Sequence, residues 1–111
     1  MRILAGLAIA TVLSSTAAVG AASAQPGHLS DVAYVAAARC AGLASSGKLG
    51  SSDGASLNAL LKSQAIGREQ VVLDQADDAQ QQAKRQANRA DDFMKGKLQA
   101  ELSNSCASFK D

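Results

Sequence analysis

The chain has 111 residues, 47% of them hydrophobic but only 3% aromatic, with eleven lysines and arginines against ten aspartates and glutamates. That length holds one small domain and not two, and the balanced charge leaves no basic excess to neutralise phosphates, which argues against a nucleic-acid partner. A single histidine and two cysteines likewise argue against a zinc centre or a histidine-dependent hydrolase.

The chain opens "MRILAGLAIATVLSSTAAVGAASAQPGH": one positive charge at Arg2, an apolar run from Ile3 to Leu13, then small residues ending in Ala22-Ser23-Ala24. This is the pattern of a secretory signal, with cleavage expected after Ala24. A spanning helix needs about 20 mostly apolar residues, whereas Ser14, Ser15 and Thr16 interrupt this run. The expected domains are therefore a signal peptide over 1–24 and one small helical domain over 25–111, with no stable membrane insertion after cleavage. No cysteine stands at the cleavage point for lipid attachment, and no N-x-[ST] acceptor follows it. The mature chain is expected in the periplasm or outside the cell. With Arg2 removed it is formally neutral.

The first element, "LSDVAYVAAARCAGLASSG", reads as a helix with Ser30 as N-cap and Asp31 in the first turn. Leu29, Ala33, Ala36, Cys40, Leu43 and Ala44 recur at three- and four-residue steps and are expected to form its buried stripe. "SSGKLGSSDG" follows as a loop. It does not match a phosphate-binding loop, because Lys48 directly follows Gly47 and the G-x-x-x-x-G-K-[ST] order is missing. Ser52 or Asp53 is expected to cap a second helix whose inward face is Leu57, Leu60, Leu61 and Ile66.

From Glu69 to Phe109 there is no proline and one glycine, Gly96, among strong helix formers. Val72, Ala76, Ala79, Ala83, Ala87, Ala90, Met94, Leu98, Leu102, Cys106 and Phe109 advance by about 3.7 residues per step, a helical period nearer to an eleven-residue repeat than to a heptad. Unbroken, such a helix would run roughly 60 Å. Charge argues for a break. Acidic Glu69, Asp74, Asp77 and Asp78 precede basic Lys84, Arg85 and Arg89, and the order restarts with Asp91 and Asp92 before Lys95 and Lys97, as two successive helix dipoles would favour. Asn88 is then expected near a C-terminus. Against the break, no glycine or proline marks it, and Asp91 with Lys95 suits a continuous helix.

Three aromatics and much alanine make a thin core, so cross-linking is expected to supplement it. Cys40 and Cys106 lie on apolar stripes at opposite ends of the mature domain, and export places them where thiols pair. Their bond would close a loop of about 67 residues, worth roughly 4 kcal/mol in the chain-entropy model. The fold class is thus all-α: a small bundle of three or four helices stapled by one disulfide.

No catalytic, cofactor-binding or metal-binding residue is assigned, and the chain is read as non-enzymatic. His28 sits in the N-terminal arm beside Gly27. Asp77-Asp78 and Asp91-Asp92 are each adjacent on a helix and diverge by about 100°, unlike a converging carboxylate pair. Asp74 with Asp77 or Asp78 shares a face and is the residual option for an enzyme or a metal-dependent protein. The segment from Asp74 to Asp92 draws more interest: its small face is nearly all alanine and its other faces are glutamine, aspartate and arginine. Either the alanines pack tightly on a neighbouring helix, or the segment projects and offers a partner surface. Asp77, Gln81, Lys84, Arg85 and Arg89 are the candidate contact residues, the expected partner being another protein. Small exported helical proteins with one disulfide include stress chaperones, enzyme inhibitors and immunity proteins; the likeness is one of architecture alone. The alternative is a structural envelope protein that self-associates through the alanine face.

Overall fold

The computed structural model describes residues 27–109. The expected leader and its cleavage point after Ala24 lie outside the described residues. Four α-helices follow in order, α1 (Asp31–Ser45), α2 (Gly54–Gln64), α3 (Gln70–Arg89) and α4 (Asp92–Ser103), and a short 3-10 turn closes the set at Ala107–Phe109. The all-α bundle with one Cys40–Cys106 disulfide is the architecture the sequence implies.

Helix α1 starts as expected, with the Ser30 hydroxyl accepting from the Ala33 amide at 3.1 Å and Asp31 in the first turn. Its buried side differs from the expected stripe: Ala36 is exposed and Ala33 half-buried, while Tyr34, Ala37, Ala38 and the whole run Cys40–Ala44 are buried. An alanine-rich helix carries little periodic contrast, and α1 is central, packed by α2, α3 and α4 together. Neighbours on several sides bury residues that a single stripe would leave out.

The α1–α3 crossing explains the alanine face. Val72, Ala76, Ala83 and Ala87 of α3 are buried, and Gly42 of α1 lies against Gln80 and Ala83. A Cβ placed on Gly42 would collide with the Gln80 carbonyl oxygen and stand 2.9 Å from the Ala83 Cβ. The two backbones approach as closely as they do because only a hydrogen and methyl groups separate them. Tight alanine packing is therefore what this helix does on its inner side.

The loop between α1 and α2 turns at Gly47 and Gly50, both at φ near +76°, where a side chain would be strained. Leu49 between them is buried, and its carbonyl accepts from Gln99 Nε2 at 3.2 Å. Asp53 occupies the cap position of α2 without a side-chain cap hydrogen bond. Leu57 and Leu61 point inward and Leu60 is half-buried, but Ile66 is 78% exposed, against expectation. The cause is local. Helix α2 ends at Gln64, and Gly67 at φ +84° redirects the chain so that Arg68, not Ile66, turns toward the protein.

Arg68 is the knot of this end. Its side chain is 1% exposed. Its guanidinium donates to the Gln64 carbonyl (2.6 Å), the Leu29 carbonyl (2.6 Å) and Asp31 Oδ1 (2.8 Å), and stacks 4.4 Å from the Tyr34 ring centre. Gln64 adds two bonds to the entering strand of chain, accepting from the Leu29 amide and donating to the Gly27 carbonyl.

Helices α3 and α4 are separate. Ala90 adopts an extended conformation (φ −70°, ψ 134°), and the Asp91 carboxylate caps α4 by accepting from the Met94 amide at 2.8 Å. Asn88 lies one residue inside the end of α3. The bend also corrects the apolar repeat: Leu98, Leu102 and Cys106 are buried, Ala79, Ala90 and Phe109 half-buried, and Met94 is exposed. One continuous periodicity cannot cross an extended residue without changing face.

Besides the hydrogen bond from Gln99 to Leu49, two ties hold α4 to the bundle. The disulfide joins Cys40 of α1 to Cys106, with Cα atoms 5.7 Å apart and Cys106 fully buried. Arg39 makes a two-pronged pair with Glu101, Nε to Oε2 at 2.6 Å and Nη2 to Oε1 at 2.9 Å, while Nη1 reaches Gln86 of α3 at 2.8 Å. The hydrogen bond to Glu101 raises the Arg39 pKa above its ordinary value, burial opposes the shift, and the carboxylate's charge adds to it. No described helix is long and apolar enough to cross a membrane.

Candidate interaction surface

With its alanines turned in, α3 shows its polar side outward. Asp77, Gln81, Arg85 and Arg89 are exposed and Lys84 is half-buried. The five candidate residues therefore share the outer side of the helix but do not converge on one point. Asp77 lines one depression and Arg85 and Arg89 another, while Gln81 and Lys84 line neither.

The first lies where α1, α2 and α3 meet. Its floor is apolar, with Tyr34, Ala38, Leu61 and Ala76, and its rim carries Lys62 and Asp77; its volume is about 420 Å³. Asp77 is the only member of the carboxylate trio at this rim. Asp74 accepts from Gln70 Nε2 at 2.9 Å along its own helix, and Asp78 is exposed. Among the described residues no three histidine, cysteine or carboxylate side chains stand close enough together to hold a metal ion. His28 is exposed in the arm ahead of α1.

The second depression is the elbow between α3 and α4, a groove of about 610 Å³. One wall is Arg85 and Arg89 with Gln82 and Gln86; the other is Phe93 and Met94. Each part has a local cause. The extended Ala90 swings α4 away from the axis of α3, which opens the groove, and the Asp91 cap holds the first turn of α4 in place. Phe93 and Met94 follow directly and are left 74% and 40% exposed. Lys97, one turn on, places its ammonium 5.4 Å from the Phe93 ring centre. Gln86 is held from behind by Arg39, so the basic wall is braced by the same contact that secures Glu101.

The groove's charge is unbalanced. Among the described residues the ion pairs are Arg39–Glu101 and Arg68–Asp31, and neither Arg85 nor Arg89 has a carboxylate partner. The acid lining the groove, Asp91, has one carboxylate oxygen committed to the cap.

Arg85 and Arg89 are visible in the sequence as surface candidates, whereas its apolar repeat puts Met94 on the buried stripe and leaves Phe93 unmarked. The available signal was Phe93 itself. One of only three aromatics in the chain, it falls off the apolar repeat and directly after the paired aspartates that start α4. Arg39 and Arg68, which organise the bundle, gave no periodic sign at all. The chain matches no protein-family model, no curated protein and no solved structure.

Proposed function

We propose that this is an exported, non-enzymatic binding protein that works in the periplasm or outside the cell and presents the outer side of α3, through to the elbow, to another protein. The observation that carries the reading is a pair of arginines with no carboxylate partner among the described residues, beside a large aromatic side chain left open to solvent. A thinly packed domain with three aromatics gains nothing for its own core from an exposed Phe93. Exposed aromatic and arginine side chains set together are the groups that dominate protein–protein contacts. Export is supported by the leader pattern up to Ala24 and by a disulfide, which persists in oxidising compartments.

Two observations weigh against the other readings. Self-association through the alanine face would have to displace α1, because Ala76, Ala83 and Ala87 are covered by it. A catalytic or metal-binding role for Asp74, Asp77 and Asp78 lacks convergence, since only Asp77 reaches the cleft.

The test is affinity capture from native envelope extract, using mature oxidised protein with a photo-crosslinking side chain at Gln81 or Arg85 as bait. One specific adduct is expected from these positions and none from a crosslinker at Ser105, which is exposed outside the proposed surface. Adducts equally frequent from all positions, or a stable homo-oligomer with no adduct, would count against the reading. Intact mass of native material should place the N-terminus at Gln25 and show both thiols oxidised.

A further inference from the structure

The elbow's chemistry narrows the class of partner. We propose that the α3–α4 groove docks an acidic segment of a partner protein, one in which carboxylates flank an apolar side chain. This rests on the binding-protein reading and makes it specific.

Three features converge. Arg85 and Arg89 form one wall of the groove and have no carboxylate within the described chain to neutralise them. Guanidinium forks pair with carboxylates through two parallel hydrogen bonds, so their natural complement is an aspartate or glutamate. Across the groove, Phe93 and Met94 offer apolar surface, and Lys97, outside the groove lining, stands over the Phe93 ring. Of the acids nearby, Asp91 lines the groove and sets one negative charge against the two arginines, with its Oδ1 taken by the helix cap, and Asp92 does not line it, so the groove keeps a positive excess. A segment that supplied only carboxylates would leave Phe93 wet, and one that supplied only apolar groups would leave the arginines unpaired.

Other occupants fit less well. A nucleic acid would meet a mature chain with no net positive charge, which forfeits the counterion release that drives phosphate binding. A bilayer would meet a groove in which a single aromatic is the main apolar anchor, and polar side chains fill the opposite wall. A second copy would bring Asp74 and Asp78 with only the short side chain of Val71 exposed on their helix face, a smaller apolar group than Phe93 and Met94 would need to be covered.

The experiment uses mature, oxidised protein and three short fluorescein-labelled peptides of one pattern. The first alternates glutamate with leucine and phenylalanine, the second replaces its apolar residues with serine, and the third replaces its glutamates with lysine. Anisotropy should show the first peptide binding best, more weakly as salt rises. Arg85→Glu with Arg89→Glu, and separately Phe93→Ser, should each weaken it by at least about tenfold, the scale of a dominant contact residue. Lys62→Glu at the other cleft should leave it unchanged. All four residues are at the surface, so circular dichroism should show each variant folded. Equal binding of the lysine peptide, no binding of the first peptide, or variants that bind like the parent would overturn the proposal. So would self-association lost with the same substitutions, or anionic vesicles of phosphatidylglycerol competing at the groove. A crosslinked partner retained by elbow variants would sink the acidic-segment assignment and leave the broader binding reading standing; absence of any partner would remove both.

Discussion

Glycine at two positions shows how far a residue's effect depends on its surroundings. Gly42 and Gly96 are both helical, and in isolation alanine should improve either. At Gly96 a new methyl would meet nothing within 4 Å, so Gly96→Ala is expected to stabilise the protein by about 0.5–1 kcal/mol, mainly by restricting the unfolded chain. At Gly42 the methyl would strike the Gln80 backbone carbonyl of α3. Backbone cannot rotate aside as a side chain can, so Gly42→Ala should destabilise by about 1–3 kcal/mol. Urea unfolding of the two variants should shift the midpoint in opposite directions. Arg39 permits a pH prediction. Its pKa is raised by Glu101, so its contribution is complete below the unfolded-state value and is lost only as pH rises through the still higher folded value. An arginine ordinarily stays protonated well beyond the neutral and mildly alkaline range. The difference in melting temperature between the parent and Arg39→Gln should therefore stay constant from neutral pH to pH ~9.

At the scale of elements, the telling case is the break between α3 and α4. Neither glycine nor proline marks it, yet the restart of acidic residues at Asp91-Asp92 foretold it, because a new helix N-terminus favours negative charge and an accepting side chain. The structure assigns Asp91 the cap itself. Asp91→Ala should cost about 1 kcal/mol, with faster amide hydrogen exchange confined to the first turn of α4. Should exchange there be unchanged, the cap would not be what holds the elbow. The end of α2 is the opposite case. Ile66 looked like the next inward residue by spacing, but the helix stops two residues earlier, and the turn at Gly67 exchanges an apolar side chain for Arg68. Burying an arginine is tolerable only because two backbone carbonyls, Asp31 and the Tyr34 ring receive it. Such an arrangement involves residues far apart in sequence and leaves no periodic trace.

For the molecule as a whole, covalent closure matters because alanine, which buries little area per residue, supplies as many of the described buried side chains as leucine does. The largest fully buried side chains are Leu43, Leu57 and Cys106, a short set for a bundle of four helices. In the chain-entropy model the Cys40–Cys106 bond is worth about 4 kcal/mol, against about 5–15 kcal/mol for a typical domain. Reduction, or Cys40→Ala with Cys106→Ala, should bring the urea midpoint down by a large fraction of its value, and α4 should lose exchange protection first, since beyond the disulfide its main side-chain tie is Arg39–Glu101. A midpoint insensitive to reductant would mean that packing alone carries the fold.

Composition, capping residues and the placement of two cysteines pointed by themselves to an all-helical, disulfide-tied domain and the start of α1, while the restart of acidic residues favoured a division between α3 and α4 that only the structure decided. These depend on local backbone preference and charge, which neighbours in sequence encode directly. Which alanines face inward, why Gly42 is required, and how Arg39 and Arg68 are satisfied were decided only when helices met, because methyl groups carry too little hydrophobic contrast to mark a face. The elbow belongs to the same category: its arginines were visible as residues, but the groove they share with Phe93 and Met94 exists only once Ala90 bends the chain.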